Sequence, residues 1–290
     1  MRVLLSTPDS LARLHHLTPL AWALRTAGHE VLVAAPPSLT AAVQLTGLVV
    51  AEPGPDGLAG FAAAWGAGMV VWDRQAPTAA DAARSAGALG VCLRGLADHR
   101  TPSAFDDCGA DLVVDTTPPP LRSLAAEPDL AMRHIPYDGL TEIPSWLRRK
   151  PRRERVYLHG LPRPGVLPAL AGLPFEIICA TPLDRLPASG VPDNVRVLDA
   201  VPFAALAPTC AAVLHSGQSE VVAAAVVAGL VEIDLTTLAD DALAERVVAA
   251  VRDPGVRDAA AGLRDAAWAM PAPGTVAARL ARRVTEGVPA

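Results

Sequence analysis

Lysine is nearly missing from this chain: of 25 basic residues among 290, only Lys150 is lysine and the rest are arginine. Together with abundant Ala, Pro and Gly, this is the coding signature of a GC-rich bacterial genome and carries little chemistry. Basic runs are also scarce. The single cluster lies between Arg148 and Arg155, and the net charge is −5, so nucleic acid is not an expected partner. That cluster reads as a solvated linker. No apolar run reaches the roughly 18 residues of a membrane-spanning helix. Val221 to Val231 comes nearest and is rich in alanine. The apolar stretch Val3 to Leu5 is too short for a secretion leader, so a cytoplasmic protein with no membrane partner is expected. The four cysteines, Cys92, Cys108, Cys179 and Cys210, stand singly, with no C-x-x-C pair and no histidine at ligand spacing. They read as small buried thiols, and no metal site is expected.

What is present suffices for a folded chain of one large or two smaller domains. Hydrophobic residues make up 51% of the sequence, and the 28 prolines argue against long uninterrupted helices. Val3-Leu4-Leu5 predicts a buried strand, and Asp9 or Ser10 can cap the helix that follows. Gly28 ends that helix and Val31-Leu32-Val33 forms the next strand, a βαβ unit of the kind that builds parallel sheets. The alternation continues with strands at Val70–Asp73, Gly90–Leu93 and Leu112–Val114 and a helix over Ala79–Ala88. A proline-rich stretch from Thr116 to Pro151 then interrupts it. A second series follows, with strands at Val156–Leu158, Phe175–Cys179, Val195–Leu198 and Ala212–Leu214. Helices are expected over Ser219–Ala228, Asp240–Arg252, Val256–Trp268 and Thr275–Val284. The expected architecture is α/β: two doubly wound, Rossmann-like domains, residues 1–147 and 148–290, whose parallel sheets face a cleft.

Several segments carry a resemblance. Met1-Arg2-Val3-Leu4-Leu5 with Pro19-Leu20-Ala21-Trp22-Ala23-Leu24-Arg25-Thr26-Ala27-Gly28-His29-Glu30-Val31 is similar to the amino-terminal βαβ of bacterial natural-product glycosyltransferases. These enzymes attach deoxysugars to macrolides, enediynes and aromatic polyketides. Val70-Val71-Trp72-Asp73 resembles their fourth-strand region. Thr117-Pro118-Pro119-Pro120-Leu121-Arg122, Met132–Gly139 and Pro144-Ser145-Trp146-Leu147 resemble their central segment. Val191–Val197 and Leu206–His215 resemble their carboxy-terminal donor domain. The resemblance implies the two-domain GT-B fold, a nucleoside-diphosphate sugar donor (TDP above all), no cofactor, and inversion without a metal ion. It also implies a small-molecule natural-product acceptor as partner. Another biosynthetic enzyme and a homodimer stay open.

The family's general base, a His after the first strand, aligns here with Arg13, which stays protonated and cannot take a proton. His15 and His16 follow roughly 200° and 300° further around the helix, and His16 is placed to replace it. Asp9, one turn before Arg13, is the third candidate catalytic residue and is also expected to pair with Arg13 at the surface. The family holds the donor diphosphate on a helix amino-terminus. The matching residues are His215, Ser216, Gly217, Gln218 and Ser219, followed by Glu220, whose carboxylate is expected to cap the helix itself and repel a diphosphate. His159 and Gly160 stand at the earlier phosphate turn, and Val201, with Pro202 and Phe203, in the segment that holds the nucleotide base. The family's sugar-binding Asp-Gln pair has no counterpart. The chain is also shorter than the family between Asp56 and Val70, between Leu93 and Leu112, and after Leu235. Three readings follow: a pared-down glycosyltransferase, a catalytically silent homologue acting as a partner or binding protein, and a repurposed enzyme. In the last, His15, His16, His134, His159 and His215 are the acid/base candidates.

Overall fold

The computed structural model describes residues 1–53, 57–100, 108–124, 127–140, 142–186, 190–198 and 202–286. The chain forms two compact units, Met1–Leu140 with Trp268–Ala290, and Thr141–Ala267.

The first unit holds strands β1 (Arg2–Ser6), β2 (Glu30–Ala34), β3 (Val49–Ala51), β4 (Met69–Asp73), β5 (Leu89–Arg94), β6 (Leu112–Asp115) and β7 (Leu130–Ala131). Their order is β3-β2-β1-β4-β5-β6-β7, and every pairing is parallel. Its helices are α1 (Leu11–Thr26), α2 (Thr40–Leu45), α3 (Gly57–Trp65), α4 (Ala79–Ala86) and α5 (Leu96–Arg100). The central strands are covered on both faces, which is why β1 and β4 read as continuous apolar runs rather than alternating ones. Ser10 caps α1 by accepting from the Arg13 N–H (3.5 Å), and Gly28 follows the helix at φ +87°, as expected.

The second unit holds β8 (Arg155–His159), β9 (Glu176–Ala180), β10 (Val195–Leu198), β11 (Cys210–His215) and β12 (Val231–Asp234), in the parallel order β10-β9-β8-β11-β12. Helices α6 (Val166–Ala169), α7 (Phe203–Leu206), α8 (Ser219–Ala228), α9 (Asp240–Arg252) and α10 (Pro254–Ala269) follow in chain order.

The last helix, α11 (Pro273–Glu286), departs from the expected division at 147/148. Val276, Ala277 and Leu280 are fully buried in the same core as Leu14, Leu17, Leu20 and Leu24 of α1, so the chain's end belongs with the first unit. The reason is apolar burial: each Val or Leu buried there contributes about 1.5–3 kcal/mol. Three short strands absent from the sequence reading, β3, β7 and β12, complete the sheets at their edges.

In each sheet the strand order reverses once, beside β1 and β4 in the first and beside β8 and β11 in the second. Ligands of open α/β sheets bind outside the carboxyl ends of the strands at such reversals.

Candidate functional site

The carboxyl end of the first sheet is filled with charged side chains. Asp73 closes β4 and is fully buried. Arg13, from the first turns of α1, donates from one guanidinium nitrogen to Asp73 Oδ2 (3.2 Å) and to Asp98 Oδ1 (3.1 Å) of α5. Asp98 is further fixed by the Gly95 N–H (2.9 Å) and Asp73 by the Gln75 N–H (2.9 Å). Arg13 therefore pairs inward with two carboxylates, not with Asp9 as expected; Asp9 instead accepts from the Ser38 hydroxyl (2.6 Å) on the exposed side. A salt bridge in the low-dielectric interior outcompetes one that water screens, once further hydrogen bonds complete it.

His16 joins this cluster. Its Nδ1 lies 3.9 Å from Asp73 Oδ2, and its Nε2 lies 2.9 Å from Thr116 Oγ1 just beyond β6. Burial opposes ionisation of Asp73, but nearby His16 and the Arg13 charge outweigh it and hold the carboxyl below the usual carboxylate range. The close fit requires glycine at position 95, because a Cβ there would stand 2.8 Å from His16 Cε1. The half-buried His134 ring lies 5.9 Å from the His16 ring; desolvation, with His16 beside it, pushes its pKa down to about 3 and keeps it neutral. His15 is directed elsewhere. It meets Tyr137 edge-on at 4.9 Å, and Tyr137 meets Trp22 in the same way. Burial lowers the His15 pKa against the opposing charge of Asp138.

The carboxyl end of the second sheet is built differently. Helix α8 makes its first hydrogen bond from the Val222 N–H to Gln218 O (3.1 Å), so the N–H groups of Ser219, Glu220 and Val221 open onto its amino end. Two preceding amides are occupied by their own motif: the Ser216 N–H by Gln218 Oε1 (2.8 Å) and the Gly217 N–H by His215 Nδ1 (3.1 Å). Glu220 is exposed in the first turn, and it is Gln218 that folds back on the turn, where Glu220 was expected to do so. His215 is buried with Nε2 at 3.9 Å from Glu232, so its ring faces protein on both sides. Ser216 Oγ and, beyond β9, Thr181 Oγ1 are buried with no hydrogen-bond partner among the described residues. His159 Nδ1 lies 3.0 Å from the Tyr157 hydroxyl, and the Gly160 amide donates to Ala180 O (2.8 Å). Phe203 stacks on Tyr157 at 4.5 Å, in the core, while Val201 lies outside the described residues. Among the described residues no group of three His, Cys, Asp or Glu is arranged to hold a metal ion, and no helix is long and apolar enough to cross a membrane.

Sequence reasoning named His16 but not the residues around it, Asp73, Thr116 and Gly95, nor Asp98, which pairs with Arg13. A signal for Asp73 existed: a carboxylate closing the apolar run Met69-Val70-Val71-Trp72, where a buried strand reaches the end of its sheet.

Two family models match the chain: erythromycin biosynthesis protein CIII-like, amino-terminal domain, over residues 95–160, and the carboxy-terminal domain over residues 165–251. The chain belongs to this family of bacterial natural-product glycosyltransferases. Its relatives include the 10-deoxymethynolide desosaminyltransferase of Streptomyces venezuelae, 26% identical, with 97% of each chain covered. Another is the aclacinomycin-T 2-deoxy-L-fucose transferase of Streptomyces galilaeus, 28% identical over 76% of each. Among solved structures, the glycosyltransferase VinC in complex with dTDP shares the fold at a TM-score of 0.83 and 21% identity, over 99% of this chain and 100% of that one. The fold is GT-B, and the protein is a glycosyltransferase-like member of antibiotic biosynthesis. The first alignment runs over 412 positions against 290 residues here, so at least 122 of its positions face gaps in this CIII-like chain.

Proposed function

We propose that this CIII-like protein transfers a sugar from a nucleoside-diphosphate donor, TDP-linked as the VinC complex suggests, to a hydroxyl of a polyketide-type acceptor, with His16 as general base. The observation that supports it is the chain Asp73–His16–Thr116: a buried carboxylate behind Nδ1 and a hydroxyl at Nε2. With its proton on Nδ1, facing Asp73, the imidazole leaves Nε2 as an acceptor aimed at a hydroxyl, the arrangement a base needs. In the resting protein Nε2 faces the Thr116 hydroxyl, whose proton can turn to Arg94 O (3.2 Å); in the reaction the substrate hydroxyl takes the place of Thr116 at Nε2. The substrate oxygen forms a bond to the anomeric carbon as the bond to the diphosphate oxygen breaks, and its proton passes to His16 Nε2. Asp73 faces the imidazolium so formed. The departing diphosphate takes the negative charge, for which the open N–H groups of α8 are the fitting receptor. Attack from the face opposite the leaving group inverts the anomeric centre.

The test combines calorimetric titration of TDP with an assay of TDP release from TDP-deoxysugars in the presence of macrolactone and anthracyclinone acceptors. Micromolar TDP binding and acceptor-dependent release are expected. His16→Ala should lower turnover by about 10²–10⁴-fold while leaving TDP affinity unchanged. TDP binding no tighter than millimolar, or undiminished turnover in His16→Ala, would overturn the reading.

A further inference from the structure

At the opposite end of the second sheet, where β8, β9 and β10 begin, lies a concavity of about 700 Å³. Its wall carries Arg149, Lys150, Arg152 and Arg153, all exposed, together with Arg155 and Arg196. We propose that this basin binds an oligophosphate group, a second anion site separate from the one that α8 offers.

The argument starts from charge. Six cations line the basin against two carboxylates, Glu176 and Asp193. Glu176 is already shared: Arg155 Nε donates to it at 2.8 Å, and Arg196 Nε lies 3.6 Å away. Arg149, Lys150, Arg152 and Arg153 have no ion-pair partner among the described residues. In a chain of net charge −5, four unpaired cations around one hollow are a concentration of positive field. A solvated linker would scatter such charges over a convex surface, but here they face a hollow.

One wall of the basin is braced. The Trp146 ring is flanked by two guanidinium groups, Arg155 at 5.0 Å and Arg196 at 4.7 Å, and Arg155 is tied to Thr209 Oγ1 as well (3.1 Å). The fully buried Phe175 side chain lies at the base of the same wall. The volume falls in the range of small-molecule sites, about 300–1,000 Å³. Arginine forks match phosphate oxygens in pairs, and a chain of phosphates can engage several at once. Arg155 opens β8 and His159 closes it, so the basin and the phosphate turn stand at opposite ends of one strand, about 13 Å apart at 3.3 Å per residue.

The test uses the intact chain and sodium tripolyphosphate, titrated calorimetrically at low and physiological salt. Micromolar affinity at low salt is expected, weakened at least tenfold by Arg152→Gln/Arg153→Gln, with TDP affinity unchanged within twofold. Both substitutions are at exposed positions, and a thermal melt matching the parent's establishes that the variant is folded. ATP titrated in parallel separates the sources: tighter ATP binding assigns a phosphorylated organic molecule, and equal binding assigns free polyphosphate. Four outcomes would overturn the proposal: affinity weaker than millimolar, equal binding by variant and parent, displacement by saturating TDP, or tighter binding of hexaglutamate. The last would assign the basin to an acidic protein segment. Loss of TDP binding alone would count against the transferase reading and leave this one standing.

Discussion

The carboxyl ends of the two sheets solve different problems with different materials. In the first unit the space beyond the strands is occupied by side chains that hold one another: Arg13 between Asp73 and Asp98, and His16 between Asp73 and Thr116. In the second unit the corresponding space is bordered by main chain, the amino end of α8 and the turn after β8. Moving a proton requires a particular side chain held in a particular orientation, and each of its neighbours is then constrained. Receiving an anion requires only N–H groups and a dipole, which any sequence able to form the helix supplies. On the proposed function the first end should therefore be sensitive to single substitutions and the second tolerant of them.

The largest effect expected from this contrast is on stability at the first end. Arg13→Met leaves two buried carboxylates without their cation, a loss of about 3–5 kcal/mol. Thermal unfolding should then begin on the order of 10 °C lower, at about 2–4 °C per kcal/mol. The matched change at the second end, Gln218→Ala, frees one amide and should cost no more than about 1.5 kcal/mol. Equal losses at the two ends would erase the distinction.

A smaller effect concerns acid. His134 is held neutral in the folded state at a pKa of about 3 by burial and the nearby His16, against 6.5 for the free side chain. Between those values the unfolded chain binds a proton that the folded one refuses. Stability should thus be flat above about pH 6.5 and fall as the pH drops below it, by up to about 1.4 kcal/mol per pH unit for one proton. Asp73 and Asp115, held below the carboxylate range, add their losses only lower, once the pH passes below 3.8. Urea midpoints measured from pH 7.5 to 4.5 check this, and His134→Gln should flatten the slope.

The smallest effect belongs to the second end. Glu220→Gln removes an exposed negative charge from the first turn of α8, where, on the proposed function, it would oppose an incoming diphosphate. TDP should bind about two- to fivefold more tightly, the scale of a surface charge at a helix terminus. Unchanged affinity in calorimetry would place the diphosphate elsewhere.

The sequence carried the fold far and the site only part of the way. Val3–Leu5, Val70–Asp73 and Ala212–Leu214 lie inside long central strands, because a strand buried on both faces writes an unbroken apolar run. The edge strands β3, β7 and β12 went unread: β3, though apolar, has only three residues, β7 has two, and β12 alternates apolar and acidic residues. Helical geometry separated His16 from His15 in angle, and the structure places them in different surroundings, one beside Asp73 and the other against Tyr137. Helical spacing also suggested an Asp9–Arg13 pair, since local periodicity knows only neighbours in the same helix. The partners Arg13 has, Asp73 and Asp98, come from sixty and eighty-five positions away.

Length, order of elements and family were determined by the sequence itself. Apolar runs and turn residues act locally, and the matching segments keep their order along the chain. Which residues meet was decided only by the tertiary structure. Arg13 exchanged its expected surface partner for two buried carboxylates, the last helix left the second unit for the first, and the arginines of the expected linker came to line a hollow. The first two share one physical reason. Charge pairing and apolar burial gain most where water is excluded, and where water is excluded depends on how distant segments pack.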